Sequence, residues 1–73
     1  MANNSQKYVI LGSNIKKARK AKNLSQNKLA EKLDISREHL AKIETAKRGI
    51  SLDLLFKISD ILEVKEKYLM DFE

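Results

Sequence analysis

The 73-residue chain has no cysteine, no proline and no tryptophan, and only two glycines, two tyrosines and two phenylalanines. Without cysteine there is neither a disulfide framework nor a thiolate metal site, and one histidine, His39, supplies no set of imidazole ligands instead. Few aromatics, no proline and recurring Leu and Ile weigh against a sandwich or barrel, so short helices and no sheet are expected. No apolar run approaches the roughly 18 residues that cross a bilayer, and the apolar stretch of the opening MANNSQKYVILG is too short for a secretion signal. The cytoplasm is the expected location. A chain of this size buries only about 60% of the surface its unfolded form exposes. Residues 1–73 are therefore read as one domain with an economical core.

What is present is charge, unevenly placed. Residues 1–50 hold twelve Lys and Arg against Glu31, Asp34, Glu38 and Glu44, a net +8, whereas residues 51–73 hold three Lys against six acids, a net −3. A basic region beside an acidic tail fits a polyanion bound on one side, with nucleic acid the leading candidate and a merely solvated Lys-rich surface the alternative. Catalysis finds no candidates. His39 has only Glu38 and Lys42 as charged near neighbours on its helix, no base accompanies the serines, and no glycine loop cradles a phosphate. No cofactor, metal or small-molecule ligand is expected.

The apolar spacing predicts a first helix from about Lys7 to Lys22, stacking Leu11, Ile15, Ala18 and Lys22 on one face. Gly12 costs up to ~1 kcal/mol there relative to Ala, so a start nearer Ser13 is the alternative. Three later starts share one signal, an apolar residue followed by Ser and then by another apolar residue four further on. These are Leu24-Ser25 with Leu29, Ile35-Ser36 with Leu40, and Ile50-Ser51 with Leu55. Each reads as an N-cap with a hydrophobic staple. The predicted helices are about 26–33, 36–44 and 51–62, with a short final one over 65–70.

Only Asp34, Ile35 and Ser36 separate the second and third helices, too few for a relaxed antiparallel hairpin, so the two must cross steeply. Leu29 and Leu33 fill the inner face, Ala30 is small where the helices approach, and Ile35, Leu40 and Ile43 complete the wedge. Arg37, Glu38, Ala41, Lys42 and Thr45 fall on the opposite face of the third helix.

The stretch Leu24–Leu55, LSQNKLAEKLDISREHLAKIETAKRGISLDLL, resembles the phage-repressor-like helix-turn-helix family, which includes restriction–modification controller proteins and some antitoxins. The match rests on LSQxxLA opening the second helix, IS opening the third, IE near its end, a basic loop, and SLxLL opening the fourth. It departs from the family where Asp34 replaces the usual turn glycine, Thr45-Ala46-Lys47 replaces Asn-Gly-Lys, and Ile50 replaces a proline. The resemblance implies an all-α, lambda-repressor-like bundle of four to five helices, with the helix-turn-helix at helices two and three. It implies a transcriptional regulator, a dimeric repressor or controller protein, binding double-stranded DNA at a pseudo-palindromic operator.

By the same resemblance the third helix enters the major groove. Arg37, Glu38 and Lys42 are the expected base readers, Arg37 by fork bonds to guanine, Glu38 by acceptance from cytosine or instead by holding Arg37 in place, and Lys42 by reaching another base or a phosphate. Gln26, His39, Thr45, Lys47 and Arg48 are the expected phosphate contacts, with packing against the second helix the alternative for His39. Arg19 and Glu44 match a structural ion pair tying the first helix to the third. A homodimer interface is expected around Ile61–Phe72, through Tyr68, Leu69, Met70 and Phe72, which are more apolar than a solvated tail requires, the alternative being that they finish the monomer core. The competing function is an antitoxin or adaptor whose main partner is a protein. The polar face of the third helix and the local +8 charge favour DNA, and 73 residues leave little extra surface for a toxin or a sensing domain.

Overall fold

In the computed structural model, which describes residues 5–72, helix α1 covers Ser5–Ala21, α2 Gln26–Leu33, α3 Arg37–Glu44, α4 Leu52–Leu62 and α5 Glu66–Leu69. No strand occurs among the described residues. Ser25, Ser36 and Ser51 sit in extended backbone before α2, α3 and α4, and their hydroxyls accept from the amides of Lys28, His39 and Leu54 at 3.0, 3.0 and 3.2 Å. The sequence pattern thus places all three starts to within a residue. Lys65, before α5, offers no such side-chain bond.

The helix ends share a second construction. Asn23, Asp34, Ala46 and Glu63 each adopt a left-handed backbone, with φ of 60, 58, 61 and 57°. The residue after each sends its amide back to a carbonyl in the last turn: Leu24 to Arg19, Ile35 to Ala30, Lys47 to Lys42 and Val64 to Ser59. This closes the orphan carbonyls that every helix end leaves. Glycine is the usual occupant of such a position, and none is used here. Asp34 in the turn between α2 and α3 adopts the left-handed backbone that glycine takes most readily.

At the first two junctions one apolar residue serves twice. Leu24 and Ile35 each close the preceding helix and stand directly before the serine that opens the next, half-buried against the core. The joint is left-handed residue, apolar residue, serine. Between α3 and α4 the same joint is interrupted: Lys47, Arg48 and Gly49 intervene between Ala46 and Ile50-Ser51. The three-residue insert is exposed and carries two cations.

All five helices feed one core. Leu11 and Ile15 of α1, Leu29, Ala30 and Leu33 of α2, Leu40 and Ile43 of α3, Leu55, Ile58 and Leu62 of α4, and Leu69 of α5 form a single buried cluster. Leu24, Ile35, Ile50, Val64 and Phe72 close its margins.

Helix α1 runs unbroken through Gly12 and starts earlier than the Lys7 expected from spacing. Its reason is tertiary. A methyl on Gly12 would lie 2.5 Å from the carbonyl oxygen of Ile43 and 2.7 Å from that of Glu44, so the missing side chain is the seat for the end of α3. Lys22, expected in the apolar stripe, instead lies past the helix end, exposed and ion-paired with Glu63. The C-terminal segment is fastened to α1 by Asn14, whose amide donates to the carbonyls of Leu69 and Asp71 at 3.0 and 3.1 Å.

Candidate nucleic-acid interface

Helices α2 and α3, joined through Asp34, Ile35 and Ser36, pack against each other through Leu29, Ala30, Leu33, Leu40 and Ile43, all buried. The remaining side of α3 is open. Arg37, Glu38 and Lys42 are exposed there, with Ala41 half-buried between them and Thr45 at the exit. Eight residues give α3 just over two turns, and its first turn carries both Arg37 and Glu38.

Beneath this face lies a charged network. The Arg19 guanidinium donates from Nε to Glu44 Oε2 at 2.7 Å and from Nη2 to Glu44 Oε1 at 3.1 Å, while Nη1 reaches the carbonyl of Leu24 at 2.8 Å. Both side chains are buried. A two-pronged guanidinium–carboxylate pair of this kind fixes geometry as well as charge. It ties α1 to the end of α3, where Gly12 permits the close approach.

Gln26 continues the chain outward. Its Nε2 donates to Glu44 Oε1 at 3.0 Å, and its Oε1 receives a long bond of 3.5 Å from Nη1 of Arg37. The negative end of the buried pair thus sets which way the Gln26 amide faces, and the amide oxygen is presented to the first residue of α3. One Nε2 proton of Gln26 is left over for an outside acceptor. No buried side-chain nitrogen or oxygen among the described residues lacks a partner.

Beyond α3, Lys47 and Arg48 are exposed on the insert. Leu24, Ile35 and Val64, which hold the equivalent place after the other three left-handed residues, all turn toward the core. Lys47 is the exception, and its charge stays in solvent. Tyr8 backs the insert, its ring 3.7 Å from where a Gly49 side chain would begin. His39 is half-buried, and its backbone amide is held by Ser36.

Thr45 is exposed and donates its hydroxyl proton to the carbonyl of Ala41 at 2.8 Å. One expectation needs correction. Leu69 is 1% exposed and belongs to the core cluster, so it has no surface to offer a partner. The i, i+3 register of the final helix turns Leu69 inward and leaves Tyr68 and Met70 outside, 69% and 43% exposed. Phe72 is half-buried, with Lys7 Nζ 5.9 Å from its ring centroid. Sequence reasoning missed Leu52 and Phe56 on α4, exposed by 64% and 47%. The signal was available: α4 is apolar at Leu52, Leu54, Leu55, Phe56, Ile58, Ile61 and Leu62, wider than one buried stripe requires.

Two capped helices crossing at a tight turn, with a polar, cation-bearing face on the second and a basic loop beyond it, define a helix-turn-helix DNA-binding regulator. The helix-turn-helix family model matches residues 15–69, and the chain belongs to that family. Along 99% of its length it is 40% identical to the control protein C.BamHI of Bacillus amyloliquefaciens, covering 88% of that protein. It is 38% identical over 64 residues to the uncharacterised HTH-type transcriptional regulator YqaE of Bacillus subtilis, covering 55% of it. Among solved structures it is similar to the restriction-modification controller protein C.AhdI of Aeromonas hydrophila. That likeness has a TM-score of 0.87 at 26% identity, over 93% of this chain and 99% of the other. None of the described helices is long and apolar enough to cross a membrane.

Proposed function

We propose that the protein is a cytoplasmic, dimeric transcriptional regulator that reads a pseudo-palindromic operator in double-stranded DNA. Like the controller proteins it is similar to, it governs the expression of a restriction–modification system. The observation that carries this reading is the exposed face of α3, with Arg37, Glu38 and Lys42 on one side of a short helix whose other side is locked into the core. In the major groove Arg37 forks onto O6 and N7 of a guanine, Lys42 reaches a base edge one turn on, and Glu38 accepts from a cytosine amine. Gln26, His39, Lys47 and Arg48 supply phosphate contacts, which fix register and make binding salt-dependent. The 1–73 chain acts as one module, without cofactor or small ligand.

A single module of this size buries only about 600–1,000 Å² on DNA, which favours a dimer. Tyr68, Met70 and Phe72 remain in the proposed interface, now joined by Leu52 and Phe56 of α4. Leu52, Met70 and Phe72 line one groove with Tyr8, Leu11 and Ile50, a mainly apolar surface where α1 meets the acidic C-terminal third, with Lys7 also in its wall. Sedimentation of Leu52→Glu and Phe72→Glu variants tests this surface. Both are expected to shift toward monomer, and an unchanged dimer in both rejects it.

DNA reading is tested by titrating the protein against duplex from upstream of its own gene and against a random duplex, at two salt concentrations, beside an Arg37→Ala, Lys42→Ala double variant. The expected result is a preference for the upstream duplex that falls steeply with salt and vanishes in the variant. Weak binding indifferent to sequence and substitution refutes the reading.

A further inference from the structure

On the open face of α3, Glu38, Ala41, Lys42 and Thr45 succeed one another at helical spacing and, with Lys47 from the insert, line a shallow depression of about 280 Å³. Four of these five side chains are polar or charged, yet the wall is mainly carbon. Thr45 explains part of this. Its hydroxyl is turned back to the carbonyl of Ala41 at 2.8 Å, which satisfies the polar end and leaves the γ-methyl for the depression. Ala41 adds its own methyl, and the lysines add aliphatic stems with their ammonium groups in solvent. The result is a carbon floor inside a polar rim.

We propose that the methyl groups of Ala41 and Thr45 form a subsite that takes the C5-methyl group of a thymine in the major groove. This is a specificity element separate from the hydrogen-bonding readers Arg37, Glu38 and Lys42, and it rests on α3 being the reading helix. Thymine is the one base of the four that shows a methyl in that groove. The acceptors of guanine, set over Ala41 and Thr45, lose water and find no donor, since the threonine hydroxyl proton is already given to Ala41, and the amine of cytosine meets methyl groups there because the threonine oxygen is turned back to its own helix. The rim serves the neighbours: Glu38 accepts, and Lys42 and Lys47 donate, so the adjoining base edges or phosphates hold the methyl over the floor. Thr45 thereby changes from a phosphate contact to a base reader, and Ala41 gains a role that its small size would not advertise.

The test starts with selection of a binding site by the wild-type protein from a pool of randomised duplexes. Each thymine of the selected half-site is then replaced by deoxyuridine, which removes only the methyl. At one position the wild type should lose roughly fourfold in affinity, the equivalent of burying one methyl group. Thr45→Ser keeps the bond to Ala41 but lacks the methyl, and should bind the thymine and uracil duplexes within a factor of about two of each other. Ala41→Gln fills the depression and should lose the thymine preference at that position, with melting temperature and salt slope unchanged. A selected site without thymine, or one whose uracil forms all bind the wild type equally, overturns the subsite while leaving the DNA-reading function intact. Undiminished uracil sensitivity in Thr45→Ser overturns it too. If the wild type selects no sequence, the reading of α3 falls first and the subsite with it.

Discussion

Replacing Gly12 by Ala sets two contributions of opposite sign against each other. Alanine in a helix interior is favoured over glycine by up to ~1 kcal/mol. Helix propensity alone therefore predicts a more stable protein, with a melting temperature several degrees higher. Packing predicts the reverse. The new methyl would stand 2.5 and 2.7 Å from the carbonyl oxygens of Ile43 and Glu44, where ordinary contact begins near 3.4 Å. Those oxygens belong to backbone, so no rotamer change relieves the clash. The relief available is for α1 and the end of α3 to part by about 1 Å, which strains the 2.7 Å bond between Arg19 and Glu44. Overpacking costs about 1–3 kcal/mol, and an obstacle that cannot rotate belongs at the upper end. Subtracting the propensity gain leaves a net loss of about 2 kcal/mol. At roughly 4–8 °C per kcal/mol for a domain of this size, the melting temperature should fall by about 8–16 °C. Thermal unfolding followed by circular dichroism measures it, with Gly49→Ala as control. There the added methyl meets only the Tyr8 ring, at 3.7 Å, and the midpoint should stay within about 4 °C. A Gly12→Ala protein that melts at or above the wild-type temperature refutes the packing account.

Glu44→Ala strands a buried guanidinium and releases Gln26, and should cost about 3–5 kcal/mol by chemical denaturation; an unchanged midpoint rejects the structural role of the pair. Ala46→Gly relaxes a left-handed alanine, worth about 1–2 kcal/mol in the folded state, against a smaller entropic loss in the unfolded one. The net expectation is a gain of up to about 1 kcal/mol, read as a rise in melting temperature. Lys47→Ala and Arg48→Ala should each lower the magnitude of the log K against log salt slope by about 0.9 without changing which duplex is preferred, and a changed preference would move these residues from phosphate to base contact.

The helix starts and the core were legible because they are written locally. A serine between two apolar residues marks a cap whatever the rest of the chain does, and Leu29, Leu33, Leu40 and Ile43 repeat at the spacing of a buried face. The paired roles of Arg19 and Glu44 came from family resemblance, and their 2.7 Å contact needs α1 and α3 to meet, which no local pattern states. Gly12 shows the same boundary more sharply: in sequence it is a weak point in a helix, in three dimensions it is the space another helix occupies. Leu69 was misplaced because a four-residue helix is too short to show a period, so Tyr68, Leu69 and Met70 read alike until their directions were fixed. The bond Thr45 makes to Ala41 was not legible, since a hydroxyl's partner is set by the fold, and this one turns to its own helix.

The insert of Lys47, Arg48 and Gly49 lends one backbone amide to the joint it interrupts, that of Lys47, which closes on the carbonyl of Lys42. Any side chain can supply that amide, and the Ile50-Ser51 start of α4 follows the insert, so neither helix end draws on the inserted side chains for its closure. On the proposed reading of α3 and the insert, grip on the phosphate backbone therefore has its own adjustable part. Charge can be added or removed there without rewriting the base code on α3 or unsettling the core beneath it. Operator occupancy at a given protein concentration can then drift across related chains while the target sequence and the folded lifetime stay where they were, which separates how tightly such a regulator holds from what it recognises.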